Sequence, residues 1–279
     1  MTAVTDRAPW GLRLRQVLAI TRLELRKCFR GRRLIGITLL NLAPVAILAL
    51  IHFVPEEIAA RKFTPTRLAE MYAVMFTIYL LRVGVFFTSA ALSIQLFRTE
   101  VLEKTFHYYL LAPVRRQVVM AGKFVAACMA SAVICGTAVI ASYFVLFSVL
   151  GDGLGKYMFS GPGSGHLVAY LGVTVLGCVG YGAVLALFGQ LWKNPIIPAL
   201  VLFGWESVLF LLPPFLKLTS VLFYLESLLP YRPPVGPLAI LADPPPTMVS
   251  VVGMFAFAGV VLVLAGWRAS RMEIVYSTD

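Results

Sequence analysis

Apolar residues gather along this chain in six long blocks, at about Leu34–Val54, Met71–Phe97, Phe124–Leu150, Leu167–Gln190, Ile196–Leu216 and Val249–Trp267. A helix needs about 20 apolar residues to cross a hydrocarbon core about 30 Å thick, and each block is close to that length. Lipid offers the backbone no hydrogen-bond partner, so each block is predicted to be helical. The expected fold class is an all-α membrane protein with six transmembrane helices. Residues 1–33 form an N-terminal segment, 34–267 the six-span domain and 268–279 a tail.

The segments between the blocks differ in kind. Leu12–Arg33 is too charged to span, yet Leu14, Val17, Leu18, Thr21, Leu25 and Phe29 recur at helical spacing with Arg and Lys on the other faces. That pattern predicts an amphipathic helix lying at the headgroups. It is too long and basic for a cleavable signal. Residues 151–166 hold six glycines and read as a flexible link. Residues 217–248 hold seven prolines and an apolar stretch, Ser220–Leu229, with Glu226 inside it. Ten residues are too few to cross, so this stretch predicts a short re-entrant or outer-interface helix before the last span.

Charge orients the molecule. With the N-terminus placed inside, seventeen of the 24 Lys and Arg fall in inner segments and six in outer ones, with Arg82 inside a span. This bias puts both ends in the cytoplasm. It also accounts for the net charge of +11 without a nucleic-acid partner. Apolar residues make up 59% and charged residues 13% of the chain, where soluble domains hold about 25% charged residues.

The inner segment 98–123 reads RTEVLEKTFHYYLLAPVRRQVVMAGK. A simple connection needs only a few residues. This one is charged at both ends and apolar and aromatic between. Val101, Thr105 and Tyr109 share one helical face, with Leu102, Phe106 and Leu110 beside it. Pro113 stops the helix and Arg115 and Arg116 follow. The expectation is a short amphipathic helix at the inner membrane face with an edge for another protein.

This segment resembles the loop between the second and third spans of type-2 ABC permeases, the type V exporter fold. There a pair of acids precedes Gly-Thr, then an apolar stretch, a proline, a basic residue and a Gly-Lys pair opening the third span. Glu100 and Glu103 match the acids, Thr105 the threonine, Pro113 the proline, Arg116 the basic residue and Gly122-Lys123 the final pair. Lys104 stands where the family has glycine. The leading amphipathic helix, six spans and short outer helix are similar to the family too.

The resemblance implies a permease subunit that pairs with a second copy or homologue and sits above two cytosolic ABC ATPase subunits in the plasma (inner) membrane of a prokaryote. The stretch Glu100–Pro113 would be the coupling helix, with Glu100, Glu103, Thr105, Phe106, Tyr109, Pro113, Arg116 and Lys123 as the ATPase-coupling residues. ATP and Mg would come through the partner, because the chain carries no G-x-x-x-x-G-K-[ST] phosphate loop. The chain itself would be a non-catalytic transport subunit with no cofactor of its own, moving substrate outward.

Two charges lie within spans. Arg82 and Glu206 each sit near a span's middle, where a lone charge costs roughly 2.5–3.5 kcal/mol. They are expected to pair, either locking the spans or, with Asn41, lining a substrate path. Pro44, one turn after Asn41, marks a bend. Gly122, Ala126 and Ala130 repeat at four-residue spacing, as do Gly182 and Ala186, and predict close helix packing within the chain or at a dimer seam.

Cys28, Cys128, Cys135 and Cys178 show no metal or redox spacing. His52, His107 and His166 lie in separate segments, so no metal site is expected. An ion- or proton-coupled secondary carrier is the alternative, although no duplicated halves are evident. A membrane-embedded enzyme or assembly factor ranks lower, since no nucleophile–base set is visible.

Overall fold

The computed structural model describes residues 10–31, 33–54, 63–102, 116–192, 194–208, 219–231 and 246–271. Every element among them is helical, the longer ones and one short helix being α1 (Trp10–Arg30), α2 (Arg33–Ala49), α3 (Pro65–Met75), a π-helical segment (Phe76–Val85), α4 (Phe86–Leu102), α5 (Arg116–Phe147), α6 (Gly163–Leu191), α7 (Ile196–Ser207), α8 (Val221–Glu226) and α9 (Thr247–Arg271).

Among the described residues, five stretches are long and apolar enough to cross a membrane: Leu34–Phe53, Pro65–Leu96, Arg116–Leu150, Gly163–Leu191 and Thr247–Arg268. These match five of the six expected blocks. The second begins earlier than its apolar block, because Thr64 caps it by accepting the Arg67 N–H at 3.4 Å and Pro65 fits the first turn. The block at Ile196–Leu216 is helical over Ile196–Ser207. Twelve residues rise only about 18 Å, less than a bilayer core. Residues 209–216 of that block lie outside the described residues.

The second and fourth of these stretches form the centre of the bundle, and the first and last lie at its edge with apolar faces exposed. The core of one end is aromatic. Tyr72 meets Tyr143 and Tyr170 edge-on at 4.9 Å each, and its hydroxyl donates to the Val139 carbonyl at 3.0 Å. The 151–162 connection closes over this cluster. Tyr157 stacks on Phe147 at 4.7 Å, and a side chain at Gly163 would strike the Tyr157 ring at 2.7 Å. Two glycines of the expected flexible link, Gly161 and Gly163, thus serve close packing on a buried tyrosine instead.

Asn41 is fully buried in α2. Its Nδ2 donates to the Ile37 carbonyl at 2.9 Å and to Thr88 Oγ1 on α4 at 2.7 Å. Pro44 has no N–H to return to the Leu40 carbonyl, and the Tyr79 hydroxyl donates to that oxygen instead, at 2.9 Å. A polar gap in one span is filled from the next.

Candidate coupling base and intramembrane charge cluster

The small-residue stripe of α5 packs within the chain. Ala126 and Ala130 are fully buried in a cluster with Cys28, Leu92 and Leu96. Gly182 faces Cys128 and Phe124. At Gly122 the contact is with α1: an added Cβ would lie 2.8 Å from Ile20 and 3.1 Å from the Val17 carbonyl. The Thr21 hydroxyl, 2.9 Å from the Val17 oxygen, reaches the Gly122 carbonyl at 3.1 Å. Beside it, Lys123 is buried at 2% exposure and donates from Nζ to the Leu96 carbonyl of α4 at 2.8 Å. Thus α1, the end of α4 and the start of α5 are bound together at the Gly122-Lys123 pair.

That junction is the base from which the 98–123 segment departs. Arg116 opens α5 and is partly buried, and Glu100 lies in the last turn of α4. Glu103, Thr105, Phe106, Tyr109 and Pro113 lie outside the described residues. Sequence reasoning marked Gly122 as a packing residue but missed Thr21 and Ile20 as its partners. The helical periodicity of α1 was the available signal, and it does not name the facing helix.

The two intramembrane charges do not pair with each other. Arg82, on the π-helical segment, holds Glu226 Oε1 through Nη2 at 3.1 Å. Glu206, 5% exposed at the end of α7, accepts from the Ser220 hydroxyl at 2.6 Å, the Val221 N–H at 3.1 Å and the Leu222 N–H at 3.2 Å. The physical reason for the correction is α8, which stands between them. Its unsatisfied N-terminal donors take the Glu206 carboxylate, and its C-terminal carboxylate, disfavoured there by the helix dipole, takes Arg82. The signal for Glu226 was present: it is the sole acid in an apolar stretch.

α8 lies at mid-depth of the bundle. Leu225 packs at Gly177, the midpoint of α6, and Val221 and Met254 close on Gly180. Ser227 donates to Ser250 on α9 at 2.5 Å, fixing the exit of α8. Among the described residues no group of His, Cys, Asp and Glu is arranged to hold a metal ion.

Five long apolar helices packed around buried polar contacts define a multi-pass membrane protein. The ABC-2 family transporter proteins match residues 21–205, more than half of the chain, and the chain belongs to that family. It is therefore a membrane permease of the ABC transporter class. The match covers α1 from Thr21 onward and the whole 98–123 segment. No curated protein matches the chain.

Proposed function

We propose that this chain is the transmembrane subunit of an ATP-driven exporter, with six spans, both ends in the cytoplasm and α8 as a re-entrant element before the last span. Its partners are two cytosolic ABC ATPase subunits, which bring ATP and Mg, and a second permease copy or homologue. The membrane is the inner membrane of a prokaryote. The observation that carries this reading is the junction at Gly122-Lys123 in a member of the ABC-2 family. There the flanks of a segment with the acid–Thr–Pro–Gly-Lys order are tied to each other and to α1.

In this reading Glu100, Glu103, Thr105, Phe106, Tyr109 and Pro113 seat on the ATPase. Arg116 and Lys123 join that seat to α5. Closure of the ATPases on ATP would then shift the permease between inward- and outward-facing states. Asn41 and Glu206 are buried in the bundle and Arg82 is half-buried, and contact with substrate is proposed for them as a polar lining.

The test is co-expression with a phosphate-loop ATPase encoded beside this chain. Association is expected to survive purification and to fall at least tenfold in Glu103→Lys and Pro113→Gly variants that remain monodisperse. Undiminished association in both variants, or transport that continues without any ATPase, overturns the proposal.

A further inference from the structure

α1 has three faces. At about 100° per residue, Val17, Ile20, Thr21, Glu24 and Cys28 turn toward α5, and Leu14, Leu18 and Phe29 form an exposed apolar arc. Arg15, Arg22, Arg26 and Arg30 fill the next arc, and all four are exposed. Glu24, the sole acid of the helix, is buried at 1% exposure and paired with Lys27 at 3.0 Å. No acid of α1 therefore faces the arginine arc. A shallow open groove runs along it, lined by Ala19, Arg22, Leu23, Arg26, Lys27 and Arg30.

We infer that this groove is a binding site for acidic phospholipid, with the phosphate held by Arg22, Arg26 and Arg30 and the acyl chains lying along the adjoining apolar arc of Leu14, Leu18 and Phe29. Three observations converge on that occupant. The arginines follow one another at four-residue spacing, so their forked donors reach one line of phosphates. Long apolar side chains are exposed beside them, as a lipid surface requires and a water-facing helix does not. And α2, a candidate span, begins at Arg33, close behind Arg30, which holds this face at the membrane surface. A cytosolic acidic protein would satisfy the arginines but would leave Leu14, Leu18 and Phe29 uncovered. The inference rests on α1 lying at the membrane surface and does not depend on the direction of transport.

The test is native mass spectrometry of the purified full chain titrated with dioleoyl-phosphatidylglycerol or dioleoyl-phosphatidylcholine. The wild type is expected to prefer the acidic lipid, and the triple variant Arg22→Gln/Arg26→Gln/Arg30→Gln to lose that preference. Each arginine accounts for about fivefold at low salt, hence about a hundredfold for three. The corresponding triple lysine variant should keep most of the preference, which excludes misfolding as the cause of the loss. Inorganic phosphate at millimolar concentration should not compete, and competition at that level would overturn a lipid site.

Equal acidic-lipid binding by wild type and the glutamine variant overturns the inference. So does a variant that keeps its lipid preference while losing an ATPase partner, since the groove would then be a protein-docking face. A fluorophore on Leu18→Cys, quenched by nitroxide-labelled lipid, reports the placement of α1 separately. Quenching with unchanged lipid preference sinks the groove alone, whereas no quenching sinks the membrane placement as well.

Discussion

Glu206 and Glu226 stand at opposite ends of the six-residue helix α8, one accepting its first N–H groups and the other held by Arg82 at 3.1 Å. Two carboxylates in one apolar region are thus both satisfied, by different chemistry. Glu206 is neutralised by dipoles and a hydroxyl, and Glu226 by a full opposite charge. The two ends should therefore respond differently to mutation.

At the Arg82 end, Glu226→Gln leaves a half-buried guanidinium without its counter-charge. A fully buried pair broken this way costs about 3–5 kcal/mol. Both partners here keep some exposure, so about 1–2 kcal/mol is expected. The swap Arg82→Glu/Glu226→Arg should recover most of that loss in thermal unfolding in detergent. A swap between Arg82 and Glu206 should recover nothing, because it removes the acceptor of Ser220, Val221 and Leu222.

The contact of α1 with α5 leaves no room at Gly122. Gly122→Ala places a methyl 2.8 Å from Ile20 Cβ and Cγ2. Overpacking of this kind costs about 1–3 kcal/mol. The unfolding temperature should drop, and Ile20→Ala in the same chain should restore part of it by removing Cγ2. Gly11, near the start of α1, meets nothing within 4 Å, and Gly11→Ala should be tolerated.

Tyr79 and Pro44 should be coupled through a carbonyl that neither owns. Removing the Tyr79 hydroxyl with phenylalanine leaves the Leu40 oxygen without its donor and should cost about 1–2 kcal/mol. In a Pro44→Ala background the helix regains an N–H for that oxygen, so the same Tyr79→Phe change should cost less. A double-mutant cycle measured by chemical unfolding reads the difference directly. Strict additivity would show that the hydroxyl does not compensate for the proline.

Cys28 gives a pH prediction for α1. Burial, with the Glu24 carboxylate nearby, pushes its thiol up to about 11 from an ordinary value of 9.0. The reactive species is the thiolate, so maleimide should label it slowly at pH 7 in a variant whose other three cysteines are alanine. The rate should climb steeply only as pH approaches 11. The raised value favours the folded state while the thiol is neutral, so this contribution holds below pH 9 and is lost as pH rises through about 11. Fast labelling at pH 7 would mean that α1 leaves its seat on α5.

The spans were legible because each is a run of apolar residues, a signal that needs no partner to be read. The same holds for α1, whose periodicity is local. What stayed hidden depended on contacts between distant segments. Arg82 and Glu226 lie 144 positions apart, and Thr21 and Gly122 are separated by 101. A lone charge in a span announces that it has a partner but not which one. For Arg82 the nearest-looking candidate was the other buried-looking charge, Glu206. The true partner sat in a stretch too short to span. Gly161 and Gly163 misled for a related reason: a glycine demanded by a neighbouring tyrosine reads the same as one that loosens a loop.

A six-residue helix is about 9 Å long and does not stretch. Held by α7 at one end and by the π-helical segment at the other, α8 acts as a spacer of fixed length between them. If α7 and that segment slide past each other while both bonds last, α8 has to tilt. Ser227 would carry that tilt to α9.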